Sequence, residues 1–347
     1  MLLKNISVSQ KTPLKSDMSG RKYSRIIDID QNNYILMESF PDHHEKSIPG
    51  HKISDYVLIG DALLKAGLSV PKVYDYNSGE GYMLLEDFGD IMFSDQINRG
   101  ENLEHLYGLA TDALEKISSS SELSNLNIKK YYDGHVHENK KFVMEFYLPY
   151  ITGHKTSLEL VDRYKSIWQD IENKCPPCPL TFQHIDFSAG NLMLLPERED
   201  VNECGIIDFQ GGMIGPYVYD LVNLLEDARL DVPEEIRISM KEKFCKNMDD
   251  NEKELFNSWY SILSAQFHLR LIGQFIRIAT VMGNDSYIEH LPRIASYIRN
   301  ELQDPLLEPL KDFFDEIGVD FEYTPTKEVV NAGISSAPHD SKLQICP

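Results

Sequence analysis

The sequence predicts an α+β chain: a small antiparallel β-sheet lobe carrying one helix, followed by a larger and mainly helical lobe. Three observations lead there. The first ninety or so residues are short β-branched and aromatic runs around tight turns, with a single helical stretch among them. After about Gly89 the texture changes to long stretches with apolar residues three and four apart, broken by one compact β-like island at residues 180–209. The length of 347 residues, 42% of them hydrophobic, supplies core for about two units of ordinary domain size.

Each element has its own signal. "YSRIIDI" and "NYILMES" flank the turn "DQNN", the pattern of a hairpin. In "SDYVLIGDALLKAG", Ser54 is a candidate cap, Tyr56, Ile59 and Leu63 share one face, and Gly67 followed by Pro71 ends the helix. "KVYDYN" and "YMLLEDF" resume strand character across "SGEG", giving a sheet of four or five strands. Helices are expected over residues 101–118 and 253–282, and in the second Ile262, Ala265, Leu269, Ile272, Ile276 and Ala279 form a buried stripe. From about Thr324 periodicity disappears, so residues 325–347 are expected to form a flexible tail.

Composition excludes several classes of function. Thirty-four basic against fifty-five acidic residues leave a formal charge of −21, which repels nucleic-acid backbones and anionic membranes. The most apolar long stretch, residues 261–282, is interrupted by Gln266, His268, Arg270, Gln274 and Arg277, and "MLLKNISVSQ" lacks the apolar core of a secretory signal. Five cysteines argue against a disulfide scaffold and for a reducing compartment, the cytoplasm. The "CPPC" of Cys175 and Cys178 reads either as a connecting loop or as a metal or redox pair.

The chemistry concentrates in the island. His184, Asp186 and Asn191 form H-x-D-x-x-x-x-N between two apolar runs, and "GIIDF" places Asp208 at the end of a β-branched strand. Phosphoryl transfer needs a carboxylate to orient and deprotonate the attacking hydroxyl, and oxygen ligands to hold magnesium against nucleotide phosphates. Asp186 suits the first task, Asn191 and Asp208 the second, and His184 is read as fixing the loop rather than reacting.

This combination resembles the aminoglycoside phosphotransferase branch of the protein-kinase-like superfamily, and "GIIDFQGGMIGPYVYDLVNLLEDA" is similar to the bacterial anomeric kinases of N-acetylmuramate and N-acetylglucosamine. "DMSGRKYSR", "LMESFP", "QFHLRLIGQFIRIA" and "YIEHLPRIASYIR" agree, so the resemblance runs from about residue 15 to 312. It implies a two-lobed kinase-like fold, with residues 1–88 as a nucleotide-binding lobe and residues 89–324 as a catalytic and substrate-binding lobe. It also implies ATP and Mg2+, with Asp186 as base and Asn191 and Asp208 as metal ligands. Adenine is expected against the connector around Glu86 and Phe88, and the phosphates under the hairpin of Ser19, Gly20 and Arg21, with Arg21 or Arg25 as a phosphate contact.

The sequence departs from the kinase pattern in two places. Met37 stands where a third-strand lysine is expected, a lack that the similar sugar kinases share, and Ile185 replaces the arginine that often precedes the catalytic aspartate of regulated protein kinases. Only seven residues separate Asp208 from Pro216, which leaves no platform for a peptide and favours a small substrate. Gln210 is a candidate sugar contact or a backbone partner. Asp220 reads as helix-start electrostatics or as a substrate contact, with a brace for the catalytic loop implied by the superfamily. His268 is expected to be structural. The leading reading is therefore an ATP-dependent kinase of a small sugar or amino sugar. An aminoglycoside or amino-alcohol phosphotransferase is the second, and a nucleotide-binding pseudokinase the third.

Overall fold

A computed structural model describes residues 7–14, 21–47, 50, 52–328 and 330. Its first sheet has five strands, β1 (Val8–Pro13), β2 (Lys22–Asp28), β3 (Asn33–Glu38), β4 (Val73–Asn77) and β5 (Tyr82–Glu86). They pair antiparallel in the order β1-β2-β3-β5-β4. Met37 lies opposite Met83, and Leu36 opposite Leu84. Because successive side chains alternate faces, Met37, Met83 and Leu85 fall on one side and Leu36 and Leu84 on the other. The first group joins Tyr56, Ile59 and Leu63 of helix α1 (Ile53–Lys65) in the main core. The second makes a separate small cluster with Ile26 and Tyr82. The expected strand runs did not include β1, whose six residues are all exposed, so it carries no apolar alternation.

Helix α1 is not capped by Ser54. Lys52 occupies the cap position without a side-chain bond, and the Asp42 carboxylate accepts from the backbone N–H groups of Ile53 (2.8 Å) and Ser54 (3.1 Å) instead. A carboxylate from a separate loop satisfies the orphan donors that a local serine would otherwise take. At the other end Gly67 adopts φ +77°, a left-handed turn suited to glycine.

The helical lobe begins with α2 (Phe93–Asn98), α3 (Leu103–Ser119) and the single turns α4 (Ser121–Ser124), α5 (His135–Glu138) and α6 (Leu148–Thr152). Then come α7 (Leu158–Lys174), α8 (Tyr219–Leu225), α9 (Glu234–Phe244), α10 (Asp250–Met282), α11 (Leu291–Glu301) and α12 (Glu308–Glu316). The island is two ladders rather than one unit and extends beyond its expected end. In it β6 (Leu180–Gln183) pairs with β9 (Met213–Pro216), and β7 (Leu192–Leu194) with β8 (Cys204–Ile206). Ser69 fastens the first lobe to this island: its hydroxyl donates to the Asn202 carbonyl (2.7 Å) and its own carbonyl accepts from Ile206 (2.8 Å).

Helix α10 starts in a reciprocal capping box between Asp249 and Glu252, and the six residues of its expected stripe are all buried. Gly273 is required by close approach. A Cβ there would lie 2.1 Å from the carbonyl oxygen of Phe142, so the helix backbone rests directly on the segment leading into a π-helical turn, Val143–Tyr147. Residue 330, expected in the flexible tail, is a valine buried in the main core; residues 329 and 331–347 lie outside the described residues. No helix among the described residues is long and apolar enough to cross a membrane. Cys175 and Cys178 are free, burial pushes the Cys178 thiol up to about 12, and the described residues contain no cluster of three His, Cys, Asp or Glu able to hold a metal.

Candidate active site

The loop after β6 is strained where it matters. Ile185, the residue before Asp186, has φ 77°, a conformation costly for a β-branched side chain. Three bonds from α8 hold it there. Asp220 accepts from the backbone N–H of His184 (2.5 Å) and of Ile185 (3.0 Å), while Asn223, one turn later, donates to the Ile185 carbonyl (2.7 Å). Burial pushes the Asp220 carboxyl up to about 6, against the pull of these donors. His184 is buried, and its Nε2 lies 2.8 Å from the Ile207 carbonyl, which requires the proton on Nε2 and ties the loop to the strand end before Asp208. Asp186 itself is exposed. Asn191 donates to both its carbonyl and its Oδ2 at 2.9 Å, and Arg229 stands 3.6 Å from its Oδ1.

Asp208 repeats the device with φ 61°. The next residue, Phe209, packs beneath α1 with its ring 4.5 Å from that of Tyr56, and a Cβ on Gly60 would lie 3.2 Å from it. Gln210 is buried and donates to Asp208 Oδ1 at 2.6 Å. It is not among the residues lining the cavity described below; its amide nitrogen orients Asp208, its buried Oε1 has no partner, and no backbone bond to its side chain is present among the described residues. Arg21 reaches the same carboxylate from the sheet lobe, with Nη1 3.7 Å from Oδ1 and only 6% of the residue exposed. Ser19 and Gly20 lie outside the described residues. Among the described residues Asn191 Oδ1 and Asp208 Oδ2 have no protein partner, and two such oxygens fit a hard cation whose remaining ligands come from phosphate and water.

The connector carries an ion-pair network of its own. Every guanidinium nitrogen of Arg25 is bonded there: Nε and Nη2 to Asp87 (2.5 and 3.0 Å), Nη1 and Nη2 to Asp90 (2.9 Å each), and Nη2 also to the Gly89 carbonyl. Arg25 therefore fastens the sheet to the connector, with one Nη1 N–H left over from these bonds. Glu86 pairs with Arg198 at 2.7 Å, and the Arg198 guanidinium lies 4.9 Å from the ring centre of Phe88.

Asp186 opens onto a cavity of about 660 Å³. One side is the segment from α5 into the π-helical turn, with Asn139, Phe142 and Phe146. The other is a face of α10, where Phe267, Arg270, Gln274 and Arg277 line the space. Aromatic faces alternating with amides and cations suit a compact polar molecule with apolar ring faces.

The profile of the family described as "Phosphotransferase enzyme family" matches residues 12–254, well over half of the chain. The chain belongs to this family. The phosphotransferase is 27% identical over 339 residues to the N-acetylmuramate/N-acetylglucosamine kinase of Caulobacter vibrioides, covering 88% of this chain and 91% of that one. It also superposes on a choline/ethanolamine kinase family protein from Mesorhizobium loti with a TM-score of 0.59 at 13% identity, over 88% and 92% of the two chains. A thermostable aminoglycoside phosphotransferase mutant, solved with ADP and hygromycin B, matches at 0.55 and 15% identity over 86% and 96%. The fold is the two-lobed kinase-like one.

Several residues around the loop and the cavity were not singled out in the sequence. Asn223 could have been found, since it lies one helical turn from Asp220 and so on the same face. Arg229 follows the end of α8 in "EDARL" and carries no motif. Arg270, Gln274 and Arg277 were visible only as interruptions of an apolar stretch. Of the other two interruptions, Gln266 donates to Glu172 (2.6 Å), and His268 is buried between Glu301 (2.7 Å) and the Glu226 carbonyl (3.1 Å), a structural position.

Proposed function

We propose that this phosphotransferase is an ATP-dependent sugar kinase that phosphorylates the anomeric hydroxyl of an N-acetylated amino sugar. In this reading the nucleotide lies between the sheet lobe, residues 1–88, and the helical lobe, residues 89–324, with the sugar in the cavity beside Asp186. The observation that carries it is the position of Asp186, exposed on a strained and braced loop at the wall of a cavity large enough for one sugar ring. The relatives named N-acetylmuramate/N-acetylglucosamine kinase support the choice of sugar.

Asp186 accepts the proton of the sugar hydroxyl as its oxygen attacks the γ-phosphorus. The new oxygen–phosphorus bond forms as the bond to the β-phosphate oxygen breaks, and ADP leaves with that electron pair. Asn191 and Asp208 would hold Mg2+, which supplies positive charge to the phosphate oxygens. Arg21, close to Asp208, adds a second cation on the sheet side in place of the missing strand lysine. An anomeric hydroxyl is more acidic than an ordinary alcohol, which lightens the task of Asp186.

Phosphorus NMR on the product formed from N-acetylglucosamine or N-acetylmuramate with ATP and magnesium tests the reading. The expected signal is an acid-labile glycosyl phosphate coupled to the anomeric proton. A 6-phosphate product, or turnover of an aminoglycoside or amino alcohol with none of either sugar, would overturn it.

A further inference from the structure

The acceptor cavity holds four cationic side chains, and they differ in one respect. Lys141 is paired with Glu138 (2.8 Å) and Glu145 (3.4 Å), and Arg229 with Asp227 (3.1 Å) and Asp186 (3.6 Å). Arg270 and Arg277 have no carboxylate partner among the described residues. Arg270 donates from Nη1 to Gln274 (2.8 Å) and from Nη2 to the Tyr219 hydroxyl (3.1 Å), and Arg277 only lies over the Phe142 ring at 5.7 Å. Acids outnumber bases 55 to 34 in this chain, so two half-buried arginines on one cavity wall without an acid are a departure from its general charge pattern.

Their spacing makes them one surface. Residues 270, 274 and 277 are four and then three apart on α10, hence on one helical face, and all three line the cavity. The bonds to Gln274 and Tyr219 fix the plane of the Arg270 guanidinium and leave its other N–H groups unspent, while Arg277 spends none on a protein acceptor among the described residues. A planar guanidinium with free donors matches a carboxylate, and it disfavours a polycationic acceptor by like-charge repulsion.

We propose that Arg270 and Arg277, with Gln274 between them, form a carboxylate subsite, so that the preferred acceptor is an acidic N-acetylated sugar rather than its neutral counterpart. This rests on the sugar-kinase reading above. Steady-state kinetics on N-acetylmuramate, its methyl ester and N-acetylglucosamine test it. The wild type is expected to favour the free acid over both neutral sugars by about tenfold or more in kcat/KM, the range of a charge-assisted hydrogen bond. Arg277→Gln and Arg270→Gln should each lower that preference about tenfold, mainly through KM for the acid. An unaltered preference in both variants, or a wild type that uses ester and acid equally, overturns the subsite. Should a variant fail to fold, the comparison of acid with ester on the wild type decides alone. Turnover of N-acetylglucosamine without any gain from a carboxylate removes the subsite and leaves the sugar-kinase reading standing. Turnover of neither sugar removes both.

Discussion

The loop that carries Asp186 and the α10 wall border the same cavity and are made by opposite means. The loop is short, and its shape is imposed on it: Ile185 is held left-handed, and Asp220 and Asn223 supply the bonds that keep it so. The wall is regular helix, where position along the face does all the placing and the backbone carries no strain. Damage to the loop should therefore appear in kcat, since the geometry of the reacting oxygen depends on it. Damage to the wall should appear in KM for the acceptor.

The largest expected effect is at the loop's tip. Asp186→Asn should lower kcat by about 10³-fold, roughly 4 kcal/mol, because a positioned base contributes on that order. Calorimetric titration with MgATP should find nucleotide affinity changed by less than about threefold, since the base acts on the acceptor. Near-normal turnover would remove Asp186 from the chemistry. Asp220→Ala comes next. It strips the acceptor from the buried N–H of His184 and the part-buried N–H of Ile185, so a loss of about 3 kcal/mol in urea unfolding is expected together with a fall in kcat. A stability loss with kcat preserved would show that the brace serves folding alone.

On the wall, Gly273→Ala places a Cβ 2.1 Å from the Phe142 carbonyl, where backbone meets backbone and no side chain can yield. An overpacking cost of about 2 to 3 kcal/mol follows. The helix must also move off the segment lining the other side of the cavity, so KM for the sugar should rise more than kcat falls. Equal changes in both would erase the distinction between loop and wall.

The same contrast explains what the sequence made legible. His184, Asp186 and Asn191 stood out because chemistry fixes both residue type and spacing within a short loop, and Asp208 because it ends a β-branched strand in "GIIDF". The buried stripe of α10 and the end of α1 at Gly67 were legible because burial and left-handed turns constrain sequence locally. The missed features depend on partners distant along the chain. Asp42, not Ser54, caps α1; Arg25 answers to Asp87 and Asp90; the exposed β1 is specified by its neighbour's backbone. Nothing within a short window encodes such pairings.

The smallest expected effect concerns pH and the support of the wall. Glu172 on α7 accepts from Lys140 (2.8 Å) and from Gln266 of α10 (2.6 Å), with His137 at 3.5 Å, so it ties the α5 segment to the long helix behind the cavity. Burial alone would raise its carboxyl, but the bonds and charges of His137 and Lys140 prevail and hold it at about 2, from an ordinary 4.5. A carboxyl depressed on folding stabilises fully above its unfolded value, and that contribution is lost as pH falls from about 4.5 towards 2. At pH 3 the loss amounts to about 2 kcal/mol. Glu172→Gln keeps an acceptor oxygen but cannot titrate. Urea unfolding at pH 6 and pH 3 should thus show a wild-type decline between the two that exceeds the variant's by about 2 kcal/mol. Parallel declines in the two proteins would mean that Glu172 is not depressed, and that the wall is held by packing at Gly273 and the buried stripe instead.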